Sequence, residues 1–177
     1  MKSKLNINHD GAALGAVHSP RPSWWGCGPR CYAREQEVHV LQIDDDHYEA
    51  LAAHARAEYP NEACALLAGR DGSVERVYTL PNAEASPTFY VVEPKAQLRA
   101  MTEMDDLGLD LAGIFHSHVA TEAYPSRTDI ELAAYPDAVY LILSLADQDA
   151  PVLRAFRIRD GQVDEEQLRR RTAGVAG

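Results

Sequence analysis

Apolar side chains follow two different spacings along the chain, and each spacing predicts a different element. The run VHVLQI, residues 38–43, is short and mostly apolar and predicts a strand. Acidic residues at 44–46 then open a helix, because carboxylates cap free backbone N–H groups and oppose the helix dipole. Apolar residues at positions 48, 51, 52 and 55 share one face of that helix. The pattern therefore begins with a strand and an amphipathic helix.

Runs that are apolar throughout, or that alternate, predict the remaining strands. ACALLAG is a buried strand, and Asp71-Gly72 is the turn that returns the chain as VERVYTL. AVYLILSLA is a continuous apolar run that is typical of a central strand. TFYVV predicts a further strand, and LRAFRIRDGQV predicts a hairpin near the edge of the sheet, with a second Asp-Gly turn.

A second helix is predicted to open at Glu93-Pro94, because proline is well tolerated in a helix's first turn. We expect its larger apolar residues to face the core, namely Leu98, Met101, Met104 and Leu107. A short third helix is predicted near Ser126. Strands and helices interleave without internal repeats, so the pattern predicts a mixed α/β domain with a central sheet and packed helices.

Residues 1–36 differ from the rest of the chain. They are rich in Gly, Pro, Ser and Arg and have neither helical nor strand periodicity, which predicts a disordered extension before a domain at 37–177. CGPRC within this segment has a C-x3-C spacing and no second pair follows, so we interpret Cys27 and Cys31 as unpaired.

Composition narrows the possible partners and location. At 177 residues and 46% hydrophobic, the chain is long enough for one domain with a substantial core. A net charge of -10 disfavours nucleic acid and anionic membranes as partners, because both would repel such a surface. No apolar run approaches the roughly 20 residues that cross a bilayer, and the N-terminal run AALGAV is too short for a signal peptide. We therefore expect a cytoplasmic protein, in keeping with its three cysteines.

Candidate chemistry begins where LAGIF leads into two histidines. Successive side chains of a strand point to opposite faces, so His116 and His118 project to one side and Ser117 to the other. Two ligands of one metal ion require this arrangement. The alternative is a strand end that carries two histidines without a metal.

Further polar residues follow in YPSRTD. Ser126 and Asp129 stand three residues apart at a predicted helix start, so both side chains can face back toward the histidines. Taken alone, this spacing is more typical of a capping motif, and Ser126 can cap the helix and face the site together. Two imidazoles and one carboxylate are typical of catalytic zinc, with the fourth position left for water. A hydrolase also needs a proton shuttle, for which Glu62, at the entrance to an apolar strand, is the candidate unless it is a solvated loop residue.

These residues resemble the motif of the JAMM (MPN+) metalloprotease family. The chain has the family's glutamate in NEACALLAG and its H-S-H-x7-S-x2-D spacing, and the resemblance covers residues 38 to about 165. It implies a cytidine-deaminase-like fold and one zinc ion held by His116, His118 and Asp129. It further implies that Glu62 is the general acid/base and that Ser126 hydrogen-bonds the oxyanion. Many members have proline after the second histidine, where this chain has Val119.

The compact chain, with SPTFY and TEAYPSRTD, is similar to bacterial members that act on small ubiquitin-like sulfur-carrier proteins, in particular an actinobacterial type. The resemblance implies hydrolysis of the amide bond between the carrier's C-terminal glycine and cysteine, which releases cysteine for its biosynthesis. It also implies a carrier that ends in Gly-Gly.

Two alternatives remain open: cleavage of another ubiquitin-like or protein substrate as an isopeptidase or endopeptidase, and a non-catalytic MPN scaffold. A zinc nucleobase deaminase would need P-C-x-x-C, which does not occur.

Overall fold

A computed structural model describes residues 40–172 of the chain. In this range the strands are β1 (Val40–Asp44), β2 (Cys64–Arg70), β3 (Ser73–Leu80), β4 (Asp110–His118), β5 (Val139–Ser144), β6 (Val152–Arg159) and β7 (Gln162–Arg171). The helices are α1 (Asp45–Glu58), α2 (Pro94–Leu107) and α3 (Arg127–Leu132). Together they form the mixed α/β domain that the pattern predicts.

The seven strands form one sheet that closes on itself in the order β1-β3-β2-β4-β5-β6-β7. The last strand pairs in parallel with the first over five residue pairs, from Val40 with Gln167 to Asp44 with Arg171. Closure on the other side of β1 is weaker, through the single pair of Gln42 and Ser73. The prediction that the β6–β7 hairpin lies near a sheet edge is therefore wrong, because β1 covers the edge of β7.

The two faces of the sheet pack against different helices. Leu51, Ala52 and Ala55 of α1 belong to a core that includes Leu67 and Phe115 of the sheet. The opposite face packs against α2 through its own set of buried side chains: Ala96, Ala100 and Met104. Because both faces are covered, β2 and β5 are apolar runs without alternation.

The prediction for α2 is wrong at two of its four apolar positions. Leu98 is 67% exposed and Leu107 is 40% exposed, whereas Met104 is buried as expected. Two alanines, Ala96 and Ala100, lie on the buried face instead and let the helix approach the sheet closely, which turns Leu98 outward.

The strand predicted at TFYVV is also absent from the described residues, where one isolated bridge joins Asn82 and Val92. The Asn82 side chain replaces a strand partner: its Oδ1 accepts from the backbone N–H groups of Glu84 and Val91. Its Nδ2 donates to the carbonyls of Glu62 and Phe89. We call residues 81–93 the β3–α2 segment; it runs past the beginning of β2.

Within residues 40–172, no helix is long and apolar enough to cross a membrane. The predicted extension at 1–36, with Cys27 and Cys31, lies outside the described residues.

Candidate metal centre

Both histidines lie at the end of β4, on the sheet face that also carries Ile114 and the α2 core. Their side chains are buried. Ser117 points the other way, and its Oγ accepts a 2.9 Å hydrogen bond from the backbone N–H of Ala63, the neighbour of Glu62. The serine between the histidines therefore ties the end of β4 to the start of β2.

The short helix α3 brings a carboxylate to the same place. Ser126 is its N-cap and accepts from the Asp129 N–H, while Asp129 Oδ2 accepts from the Ser126 N–H at 2.7 Å. The same Oδ2 lies 3.4 Å from His116 Nε2 and 3.5 Å from His118 Nε2. The Asp129 carboxylate thus takes part in the capping motif and also lies close to both histidines.

The three converging atoms fit a small divalent ion. The two Nε2 atoms lie 3.1 Å apart, so the edges of the triangle measure 3.1, 3.4 and 3.5 Å. A tetrahedral zinc ion about 2.0–2.1 Å from each ligand requires edges of roughly 3.4 Å. The donor set of two imidazoles and one carboxylate is also one that zinc accepts, so the residues present suit this metal.

At the ring nitrogen that points away from the cluster, Nδ1, a hydrogen bond orients one histidine but not the other. His118 Nδ1 lies 2.8 Å from the Glu122 carbonyl and 3.0 Å from Thr121 Oγ1, so Nδ1 carries the proton and Nε2 is free to bind a metal. His116 Nδ1 is buried and has no hydrogen-bond partner among residues 40–172. The His116 ring is instead stacked on Tyr90, with ring centroids 4.5 Å apart and planes inclined by 20°.

For two of these groups, the surroundings favour the protonation state that binds a metal. Burial lowers the pKa of His116 and so keeps its imidazole neutral. Burial alone would raise the pKa of Asp129, but its contacts with both histidines outweigh this and hold the pKa below its ordinary value. For His118, burial is outweighed by bonds to Asp129 and the Glu122 carbonyl, and its pKa is raised. Protons therefore compete with a metal mainly at His118.

Glu62 is not the solvated loop residue that its position alone suggests, because only 6% of its surface is exposed. Its backbone N–H donates to the Ser86 carbonyl and its carbonyl accepts from Asn82, both in the β3–α2 segment. Burial raises the pKa of its carboxyl from 4.5 to about 7; nearby Asp129 adds to the rise and His118 opposes it. The group can therefore both take and give a proton near neutral pH.

Ser126 lies on the exposed side of the cluster. Its Oγ accepts from the Asp129 N–H at 3.2 Å, and accepting leaves the hydroxyl proton free to donate elsewhere. The structure thus brings together the four buried or half-buried groups predicted from the sequence, with Ser126 at their rim.

Several residues that support the cluster were not predicted from the sequence. Tyr90 covers His116, and the loop 119–126 is held by Ser144 Oγ, which donates to the Thr121 carbonyl at 2.6 Å. Arg154 donates to the Ala123 carbonyl at 3.2 Å and lies over the Phe156 ring. The spacing of apolar and polar residues could not predict these contacts, because each one joins segments that are distant in the sequence.

The chain is similar to several known proteins. The family described as prokaryotic homologues of the JAB domain matches residues 44–159. The chain is 48% identical over 137 residues to the CysO-cysteine peptidase of Mycobacterium tuberculosis, covering 76% of this chain and 94% of that protein. It is 38% identical over 124 residues to a probable TtuB-protein conjugate cleaving protease of Thermus thermophilus, and this match covers 70% of this chain and 79% of that protein.

A solved structure also matches the fold. The solution structure of a Desulfitobacterium hafniense protein superposes with a TM-score of 0.69 at 42% identity, covering 75% of this chain and 93% of that one.

Proposed function

Because the chain belongs to the family of prokaryotic homologues of the JAB domain, we propose that it is a zinc peptidase that releases cysteine from a ubiquitin-like sulfur-carrier protein. The bond cleaved is the amide between the carrier's C-terminal glycine and cysteine. One observation carries the chemistry: His116, His118 and Asp129 converge beside the buried carboxyl of Glu62. The substrate rests on the similarity to the CysO-cysteine peptidase, nearly all of which the match covers.

In this proposal His116, His118 and Asp129 would hold the metal. When bound, zinc supplies Lewis-acid chemistry that polarises the scissile carbonyl and makes water more acidic. The buried carboxylate of Glu62 accepts a proton from the attacking water. It then returns that proton to the nitrogen of the departing cysteine as the C–N bond breaks, so that cysteine leaves as a free amine. The water oxygen stays on the carrier's new carboxyl group, which ionises by releasing the second proton to solvent.

Ser126 has a separate role. Its hydroxyl donates a hydrogen bond to the carbonyl oxygen as negative charge develops on it. We further propose that the carrier ends in Gly-Gly, because a narrow approach to the metal would select an extended tail without side chains.

The proposal is tested by the intact mass of a sulfur-carrier protein that bears a C-terminal cysteine. Incubation with the zinc-loaded protein should remove the mass of one cysteine residue, a chelator should stop the loss, and added zinc should restore it. Glu62→Gln should still bind zinc but turn over about 10²- to 10⁴-fold more slowly. Glu84→Gln, an exposed change in the β3–α2 segment, is the matched control.

An adduct that stays intact while zinc is bound would overturn the proposed substrate. Undiminished turnover by Glu62→Gln would overturn the assignment of the base. Partner binding without any turnover would indicate a non-catalytic scaffold.

A second candidate is cleavage of other conjugates of a ubiquitin-like protein. It is favoured by the similarity to the probable TtuB-protein conjugate cleaving protease. A carrier joined through its C-terminus to a lysine side chain would distinguish the two: release of the carrier from lysine at a comparable rate would favour the broader activity.

A further inference from the structure

The two histidines of the cluster are oriented by different means. A metal-binding histidine usually donates its second ring N–H to a protein group, which fixes the plane of the ring. His118 follows this rule through the Glu122 carbonyl. His116 Nδ1 is buried and has no such partner among the described residues. Since the outer torsion of histidine is broad and poorly defined by itself, a contact other than an Nδ1 hydrogen bond must restrict this ring before a metal binds.

Tyr90 is the group in a position to do so. Its ring lies nearly parallel to the imidazole, at 4.5 Å between centroids and 20° between planes. Rotation of the imidazole about its outer torsion would drive the ring edge into the tyrosine face. The stack therefore restricts the outer torsion, which turns His116 Nε2 about the Cβ–Cγ bond.

Tyr90 is itself held on both sides. The carbonyl of Phe89 accepts from Asn82 Nδ2, and the N–H of Val91 donates to Asn82 Oδ1, each at 3.1 Å. One side chain thus fixes the peptide groups before and after Tyr90. The same Asn82 Nδ2 donates to the Glu62 carbonyl at 3.0 Å, so the support of Tyr90 is also tied to the candidate base.

We propose that Tyr90 is a positioning residue that fixes the His116 imidazole plane by stacking and so keeps Nε2 directed at the metal. The inference rests on the proposed metal site and adds a residue that touches no metal. It requires the flat ring of Tyr90 and not its hydroxyl. Tyr90→Phe should therefore bind zinc within about twofold of the unchanged protein, whereas Tyr90→Met should bind it about 10- to 100-fold more weakly.

The test measures zinc affinity by competition with a chelator of known affinity, on the full chain. Tyr48→Met is the matched control: Tyr48 is also half-buried and stacked, but its partner is Arg170, at 3.6 Å from the ring centroid, not a candidate ligand. This control should keep the zinc affinity of the unchanged protein. The visible absorption of cobalt-substituted protein should change in Tyr90→Met and stay the same in Tyr90→Phe and Tyr48→Met.

Several results would overturn the inference. Equal zinc affinity in Tyr90→Met would remove the role of the ring, and an equal loss in Tyr90→Phe would assign the effect to the hydroxyl. An equal loss in Tyr48→Met would assign it to general destabilisation. If the unchanged protein bound no zinc, the proposed function would be wrong and the inference about Tyr90 would fall with it. A failure of the inference alone would instead leave zinc binding by the unchanged protein intact.

A measurement on the unchanged protein covers the case in which Tyr90→Met does not fold. Nuclear Overhauser contacts between the ring protons of Tyr90 and His116 should be present in the metal-free protein. Their absence would show that the ring is not fixed in advance and would overturn the inference.

Discussion

At the scale of single residues, a carboxyl group buried beside a candidate metal site responds to pH differently from one on the surface. Glu62 has a pKa of about 7 in the folded, metal-free protein against an ordinary value of 4.5. A raised pKa means that folding favours the protonated form. The stabilisation is therefore complete below about pH 4.5 and is lost as the pH rises through about 7.

This sign gives a prediction for the metal-free protein. Between pH 5 and pH 8, the unchanged protein should lose roughly 2 to 3 kcal/mol of unfolding free energy relative to Glu62→Gln, which cannot ionise. Urea unfolding of both proteins at several pH values, with chelator present, measures the difference. If the unfolding free energies of the two proteins changed with pH in the same way, the raised pKa of Glu62 would be contradicted.

Ser117 provides a second prediction at this scale. Its hydroxyl is the acceptor for the buried N–H of Ala63, so Ser117→Ala leaves a buried donor without a partner. We expect a loss of about 1 to 3 kcal/mol in unfolding free energy. Ser86→Ala is the control, because its hydroxyl accepts from Thr88 on an exposed turn and its loss should cost much less. If Ser117→Ala and Ser86→Ala lowered the stability equally in thermal unfolding, the buried Ser117–Ala63 hydrogen bond would contribute no more than the exposed one.

At the scale of elements, α3 combines a cap and a candidate ligand within one helical turn. Glycine replaces serine as an N-cap at a cost of only a few tenths of a kcal/mol, whereas alanine costs about 1 kcal/mol. Ser126→Gly and Ser126→Ala therefore separate the two roles of the hydroxyl. If it serves the oxyanion, kcat should fall by about 10²- to 10³-fold in both variants.

The comparison is made by kcat on the carrier adduct together with thermal unfolding. A kcat that falls in Ser126→Ala but is kept in Ser126→Gly would show that the serine acts only as a cap.

Elements that depend on neighbouring residues could be predicted from the sequence. The acidic first turn of α1, the Asp71-Gly72 turn and the opening of α2 at Glu93-Pro94 are confirmed, because helix-start and turn preferences act over a few residues. The predicted capping of α1 is wrong, since the Asp44 side chain makes no hydrogen bond to the helix N–H groups. Likewise, His116, His118 and Asp129 stand within fourteen residues, and a strand and a helix start are enough to bring them together.

Features that depend on distant residues could not be predicted in this way. Asn82 holds the β3–α2 segment in an irregular path, so the apolar pattern of TFYVV was misleading there. Leu98 is exposed because α2 packs through its alanines, which periodicity does not distinguish from larger apolar residues. The support of His116 by Tyr90 has the same origin in tertiary contact.

At the scale of the whole molecule, the candidate ligands come from β4 and α3, so metal binding should stabilise the folded chain against unfolding. At free zinc about 1,000 times above the dissociation constant, the unfolding free energy should rise by about 4 kcal/mol. The measurement is thermal unfolding with zinc and with chelator. His118→Gln should abolish the response, and His47→Gln, on α1, should keep it.

If zinc still raised the unfolding temperature of His118→Gln, the ion would bind elsewhere.

The closure of the sheet by β1 and β7 also has a consequence for the newly made chain. Val40 pairs with Gln167, so β1 leaves the ribosome long before its main partner is synthesised. At about 5 to 20 residues per second, this interval lasts roughly 6 to 25 seconds. During it the open edge of β1 is available to other chains. Production of this protein should therefore aggregate less when translation through β2 to β7 is fast, or when a chaperone covers the nascent strand.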